Sequence, residues 1–482
     1  MTVETSSPHL RQLQEMELVF MRVAVAEPTW LSAHDEAALR WALSMARLSN
    51  VPVGKGDSRE YLDVGVATAG YLRRLPALLL PCVTGDRVQR EALRSQVASV
   101  RSLAAGHRNE LLRLFGGRLP ARALDRAVRK RPLALVLGGG GGTCYVFVGA
   151  MAELEEAGLD VSLISGTSMG AILGAFRARQ RAFSLAGVRQ IVERLSWRKV
   201  FRLFDTSSRF GMPATLKLYL REVIGHEFEQ DGTFLTLKDL EIPLRVTVAG
   251  LAGGAAAQDP ERYAHLLDDA VVDIRRFRHR AKGIARALGE LTRQPVRPVY
   301  LGGDSLTRDF DVLDAIGFSS AVPGVIHYDV LRDDPRMIDI CQTLLAREGV
   351  LRFVDGGLGD NLPASEAWRA VQSGAIPERD PFVLALDSFA PQLSTRHLLF
   401  LPLMRLAAEN SRAGRAAAHL TITFRNVLSP LAVVPTPEEF LRAIEHGRRE
   451  TSTLIPLIRK MVGPIPDPPG IVTEVDDAGM KA

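Results

Sequence analysis

The stretch LALVLGGGGGTCYVFVGAMAEL, Leu133 to Leu154, constrains the fold more than any other part of the chain. An apolar run with strand character, LALVL, leads into five consecutive glycines, Gly138 to Gly142, and then into a helix-like run. Glycine loses more backbone freedom on folding than any other residue. Five together therefore mark a turn whose backbone, not its side chains, is wanted. Three uses are open: cradling a phosphate, holding a reacting oxyanion, or turning a corner. The phosphate uses fail on detail, because a Walker loop requires a lysine that does not follow. The dinucleotide pattern G-x-G-x-x-G, begun at Gly138, meets Thr143 where its third glycine belongs, and the next strand ends in Ser165 and Gly166 rather than a ribose-binding acid.

The rest of the chain organises around this segment. Residues from about Leu10 to Leu114 read as helical. WLSAHDEAALRWALSMARL opens with Ser32 and Asp35 at capping-box spacing, and a long amphipathic stretch stops at Gly116 and Gly117. From Leu133 short apolar runs (LALVL, DVSLIS, LRVTVAGL, LRFVDGG, FVLALD) alternate with helical patterns. That alternation predicts an α/β fold, a mostly parallel central sheet with helices on both faces, preceded by a helical N-terminal region. The expected division is an accessory helical region over 1–130 and a catalytic part over 131–391 with a cap-like insertion around 180–310. A C-terminal helical extension and flexible tail would occupy 392–482.

Composition narrows the function classes. A hydrophobic content of 46% and charged content of 24% are those of a globular protein. The net charge of +5 lacks a concentrated basic face with readout elements, so nucleic acid is not an expected partner. Cys82, Cys144 and Cys341 are too few and scattered for a disulfide framework or metal cluster, so no metal or organic cofactor is expected. The N-terminus lacks a basic-then-apolar leader pattern and no run reads as a membrane span, which makes a cytoplasmic location the expectation.

Gly166-Thr167-Ser168-Met169-Gly170 is a G-x-S-x-G pentapeptide between a strand candidate and a small-residue helix candidate. A nucleophile elbow needs that arrangement, because a tight strand-to-helix turn lifts the serine hydroxyl above the sheet, and Gly166 and Gly170 relieve the contacts side chains would make. The alternative is an ordinary strand–turn–helix that happens to contain a serine. A serine nucleophile needs a base. His397, His419 and His446 are the late histidines, and none sits in a loop after a strand. Asp355, in LRFVDGGLGDNLPASEA, ends a strand-like run and could accept the serine proton if desolvated. Taken alone, Asp355 followed by Gly356 reads as a turn. Attack by Ser168 on an ester would create an oxyanion, and the N–H groups of Gly139, Gly140, Gly141 and Gly142 form a suitable nest.

With these motifs in order, and with GFSSAVPGVI (Gly317–Ile326) between them, the chain resembles the patatin-like phospholipase family over roughly Arg131 to Pro391. The resemblance implies a Ser–Asp dyad without a catalytic histidine, Ser168 as nucleophile and Asp355 as base, acting on esters of phospholipids or related lipids. It departs from the family's G-G-G-x-[RK]-G oxyanion motif, with Thr143 at the basic position and Cys144 at the last glycine. The departure bears on how the loop is supported and on the backbone angles at Cys144. Two other readings share these residues: a catalytically silent fold that binds lipid or a partner, and an acyltransferase. Finally, IRRFRHRAKGIARALGEL, residues 274–291, carries an apolar stripe among arginines, and reads either as a peripheral membrane contact or as a cap helix packed on the protein.

Overall fold

The structure, a computed structural model, describes residues 8–54, 60–85, 87–203, 208–253, 295–389 and 401–472. The chain divides into two compact units: Met1–Leu133 with Val371–Phe382 and Leu454–Ala482, and Ala134–Ala370 with Val383–Thr453.

The first unit is helical, as its periodicity predicts. It contains α1 (Pro8–Ala26), α2 (Ala33–Ala46), α3 (Gly65–Leu79), α4 (Arg90–Phe115) and α5 (Ala121–Arg129), with a short hairpin of Asn50–Val53 and Glu60–Asp63. Ser32 caps α2, its hydroxyl accepting the Asp35 N–H at 3.1 Å. Phe20, Trp41 and Tyr71 are fully buried among these helices. An ionic knot lies beneath them: Glu17 of α1 meets Arg47 at the end of α2 and Arg131, while Asp380 takes the other side of Arg47. Burial raises the Glu17 pKa, but the guanidinium groups of Arg47 and Arg131 outweigh it and hold the carboxyl below its ordinary value.

The second unit is built on one sheet. Its elements are β1 (Leu133–Leu137), α6 (Val146–Glu156), β2 (Val161–Thr167), α7 (Met169–Ala178), β3 (Leu244–Leu251), β4 (Val296–Leu301), α8 (Val312–Ser319), β5 (Arg352–Asp355), β6 (Phe382–Asp387), α9 (Leu401–Ala417), β7 (Leu420–Thr423) and α10 (Pro437–Ser452). The strand order is β4-β3-β2-β1-β6-β7, and β5 pairs with β3. The sheet is mostly parallel, with β2 on β3 and β6 on β7, while β4 and β5 lie antiparallel to β3. Every residue of β1 and β3 is buried, as expected of strands covered on both faces; β1 is wholly apolar, and β3 carries Arg245 and Thr247 among its apolar residues. Because β2 and β6 flank β1 on opposite sides, the chain reverses direction across the sheet there. The carboxyl end of β1 is thus a topological switch point, the place where open α/β sheets bind ligands.

Two boundaries differ from the sequence reading. The span 180–310 contains β3 and β4, strands of the central sheet, so it is not all cap; the fully buried run LRVTVAGL needs cover on both faces. Nor do residues 392–482 form an extension of their own: β7 pairs with β6 inside the second unit, and Leu454–Ala482 groups with the first. Among the described residues, no helix is long and apolar enough to cross a membrane and no acid, histidine or cysteine cluster could hold a metal ion.

The ionic knot yields a test. Glu17→Gln leaves Arg47 and Arg131 buried with Asp380 as their one remaining shared carboxylate and should lower stability at pH 7 by about 3 kcal/mol in urea unfolding. The depressed Glu17 pKa contributes stability above the ordinary carboxylate range and loses it as pH falls through the folded value. The variant's deficit should therefore shrink below about pH 4.

Candidate active site

The glycine run, the pentapeptide and Asp355 are brought together by β3. Its residue Thr247 lies opposite Thr167 at the end of β2, and the next residue, Val248, lies opposite Asp355 at the end of β5. Two positions separated by 355 − 168 = 187 residues thereby finish their strands side by side.

Ser168 stands between β2 and α7 with φ 53° and ψ −128°, a backbone state that L-residues other than glycine rarely adopt and that costs about 1–3 kcal/mol. The surroundings hold it there. Its N–H donates to Ser319 Oγ at 2.8 Å, and that hydroxyl donates in turn to Thr247 O at 2.6 Å, tying the elbow to β3. Its carbonyl accepts the N–H groups of Ala171 and Ile172, the first bonds of α7. Gly166 and Gly170 are required by close approach: a Cβ on Gly170 would stand 2.3 Å from Leu137 O, and one on Gly166 2.8 Å from the Ala171 backbone.

Asp355 is buried. Its Oδ1 accepts the Gly357 N–H at 2.8 Å, and its own N–H donates to Ala321 O at 2.9 Å. Burial pushes the carboxyl up to about 6, while hydrogen bonding from Ser168 and Gly357 pulls the other way. Asp355 Oδ2 is buried and has no hydrogen-bond partner among the described residues; catalytic contacts commonly form or tighten only when substrate is bound.

The glycine turn divides into used and unused donors. Gly138 N–H goes to Leu386 O, Gly139 N–H to Asn361 O at 3.1 Å, and Gly142 N–H to Pro430 O at 3.0 Å. Among the described residues Gly140 and Gly141 N–H have no backbone acceptor, and these two glycines line a cavity of about 190 Å³ together with Ser168 and Asp355. Of the four glycines expected to form a nest, Gly139 and Gly142 direct their N–H groups to protein carbonyls. Apart from these groups the cavity is almost wholly apolar, with Met169, Phe201, Val325, Phe389 and Leu431 among its walls.

Thr143 and Cys144 brace the turn. Thr143 Oγ1 donates to Gly140 O at 3.0 Å and is hydrogen-bonded with Ser388 Oγ at 2.9 Å, and the Cys144 thiol donates to Gly138 O at 3.3 Å. Cys144 is not among the residues with positive φ, so its side chain imposes no strain. Burial pushes its thiol up to about 12, which keeps it uncharged.

Several contributors were not readable in advance. The SSAVPG block supplies the Ser319 clamp, the Ala321 carbonyl and, through Ser320, Val322 and Pro323, a wall of the cavity. Asn361 grips Gly139 through its backbone carbonyl and, at 3.3 Å, through Nδ2, which also reaches Ser411 Oγ at 2.9 Å. Asn410 of α9 donates to the carbonyls of Gly357 and Leu358, steadying the turn after Asp355. Spacing in sequence carries no signal for such long-range contacts. Among the described residues no histidine lines the cavity: His419 accepts the Val383 N–H and His446 lies on α10, while His397 falls outside the described residues. The basic stretch 274–291 also lies outside them.

The site thus joins a strained serine at a strand–helix elbow to a buried aspartate and an apolar cavity. Residues 135–368 match the Patatin family, described as patatin-like phospholipase, and form a patatin-like phospholipase domain. Among curated proteins, the chain is 36% identical over 119 residues to lysophospholipase nte1 of Aspergillus fumigatus, covering 25% of this chain and 7% of that protein. It is 44% identical over 61 residues to human patatin-like phospholipase domain-containing protein 6, covering 13% and 4%. It is 42% identical over 66 residues to rat patatin-like phospholipase domain-containing protein 7, covering 14% and 5%. The matches thus span less than a tenth of those relatives. A crystal structure of VipD from Legionella pneumophila aligns with 68% of this chain and 67% of its own at 13% identity and a TM-score of 0.30, too distant to carry weight.

The raised Asp355 pKa has a consequence for stability. Between about pH 4 and pH 6 the folded chain keeps a proton that the unfolded chain has lost, so this group lowers stability as pH rises through that window and holds it down above. Asp355→Asn should therefore stabilise the protein at pH 8, by up to about 3 kcal/mol in urea unfolding, with the gain vanishing below about pH 4.

Proposed function

We propose that this protein is a lipid acyl hydrolase that cleaves carboxylic esters of phospholipids or related lipids through a Ser168–Asp355 dyad. Ser168 Oγ attacks the ester carbonyl carbon as Asp355 takes the hydroxyl proton. The carbonyl oxygen, now an oxyanion, accepts hydrogen bonds from Gly140 and Gly141 N–H, donors with no backbone acceptor among the described residues. The tetrahedral adduct collapses, the alcohol leaves with the proton from Asp355, and an acyl-serine remains. Asp355 then takes a proton from water as that water attacks the acyl carbon; fatty acid departs and Ser168 recovers its proton.

The observation that carries this reading is the pairing of Ser168, held at positive φ, with a buried carboxyl poised near pH 6 at the mouth of an apolar cavity. A base is most effective when its pKa lies close to the working pH. An apolar cavity suits an acyl chain and excludes the water that would weaken both the dyad and the oxyanion donors. The patatin-like domain and the lysophospholipases it resembles support the substrate class. The altered motif at Thr143 and Cys144 does not argue for a silent fold, since both side chains brace the turn without taking up the Gly140 and Gly141 N–H groups.

Purified protein should be labelled by a fluorophosphonate and release fatty acid from phospholipid or lysophospholipid. Ser168→Ala should abolish labelling, and both Ser168→Ala and Asp355→Asn should lower acyl release by about 10³-fold or more. Labelling that persists in Ser168→Ala, or acyl release indifferent to either change, overturns the assignment. In the native enzyme kcat/KM should rise with pH through about 6, as Asp355 ionises, and level off above about 7.

A further inference from the structure

The cavity wall continues into a second, three-stranded sheet. Phe201–Leu203 pairs antiparallel with Ala214–Leu218, which pairs in parallel with Gly324–His327. Phe201, Leu218, Val325 and Ile326 from these three strands all line the cavity. The turn that feeds this sheet is Ser196-Trp197-Arg198-Lys199-Val200. There Val200 is buried, whereas Trp197, Arg198 and Lys199 are exposed.

Trp197 is the unusual member. The indole packs on the cavity-lining Phe201, ring centroids 4.7 Å apart, yet 47% of the residue is open to solvent. Trp30 and Trp41 are buried and Trp368 is half-buried, so the other tryptophans have found cover where this one has not. Leu431, which itself lines the cavity, is likewise 45% exposed. One cavity-lining residue, Leu431, and one neighbour of the lining, Trp197 packed on Phe201, thus present large apolar side chains to water.

Charge singles out the occupant. The run RLSWRKVFRL, Arg194 to Leu203, holds four basic residues and no acid. Arg202 is paired with Glu222, but Arg194, Arg198 and Lys199 stand exposed. Indole side chains favour the boundary between headgroups and acyl chains, and neighbouring cations favour anionic headgroups. A protein partner would need a contoured apolar surface bearing acids. A bilayer supplies both components over any area and also contains the ester.

We propose that the Trp197 turn is a docking element for an anionic phospholipid surface: the indole inserts at the headgroup level, Arg198 and Lys199 meet lipid phosphates, and the cavity mouth faces the bilayer. This rests on the reading of the cavity as a lipid-ester site. It places membrane contact on a wall of that cavity, where a lipid leaving the bilayer enters directly.

The test uses full-length protein carrying Ser168→Ala, so that lipid stays intact, with phosphatidylcholine vesicles made with and without phosphatidylglycerol. Trp197 emission should shift to the blue on vesicles containing phosphatidylglycerol and be quenched by brominated acyl chains. Trp197→Ala should remove that response and weaken sedimentation with vesicles by roughly tenfold. Arg198→Glu with Lys199→Glu should abolish the preference for anionic lipid. With Ser168 intact, both variants should hydrolyse p-nitrophenyl butyrate, a soluble ester, at the native rate while losing activity on vesicles.

Vesicle binding with unchanged Trp197 emission, binding indifferent to either variant, or equal loss on the soluble ester overturns the proposal. So does a Trp197→Ala effect confined to self-association in light scattering, which would assign the turn to a second copy. Trp197-dependent vesicle binding without acyl release from any ester leaves the docking element standing and removes the hydrolase reading instead.

Discussion

Strand β3 is the constraint on which the site depends. It takes β2 in parallel and β5 in antiparallel along one edge, at consecutive residues, with β4 on the other edge, so the ends of two remote strands meet at one point. Thr247 takes part twice, pairing with Thr167 through the ladder and receiving the Ser319 hydroxyl that holds the Ser168 N–H. A slip of one residue in either pairing would turn every side chain of that strand to the opposite face. Register within this buried ladder, more than any contact between the two side chains, keeps Ser168 and Asp355 together.

Around that frame the protein spends stability locally. A serine at positive φ and a carboxyl desolvated among apolar side chains are each unfavourable by themselves. Both persist because the neighbours over-determine them: Ser319 and the first turn of α7 hold the elbow, and Gly357, Ala321 and Asn410 hold Asp355 and its turn. The glycine run behaves alike. Two of its N–H groups anchor it to Asn361 and Pro430, while Gly140 and Gly141, without a backbone acceptor among the described residues, line the cavity. Where a long cation might have braced the loop, Thr143, Ser388 and Cys144 do so with short hydrogen bonds made entirely within the protein.

Much of this was legible beforehand, for identifiable reasons. Gly170 and Gly166 advertise an elbow because only glycine fits against the Leu137 carbonyl and the following helix. The apolar run of β1 and the largely apolar run of β3 announce buried strands because so short an apolar run suits a strand covered on both faces. Ser319, Asn361 and Asn410 were silent, since each acts on a partner remote in sequence through one hydrogen bond, and no local pattern encodes that. The same holds for β7 and the loop through Pro430, which sequence reading set outside the site: their role comes from lying beside β6 and the glycine turn.

The sequence by itself determined the local geometries: a backbone-only turn at Gly138–Gly142, a strand–serine–helix elbow at Ser168, and an aspartate at a strand end. These depend on steric limits that act over a few residues. Only the tertiary structure decided which glycine N–H groups meet protein carbonyls, how far Asp355 is removed from water, and that Trp197 stands uncovered beside the cavity-lining Phe201. Those properties belong to the space between segments, where hydrogen-bond competition and desolvation are settled by neighbours that the chain delivers from far away.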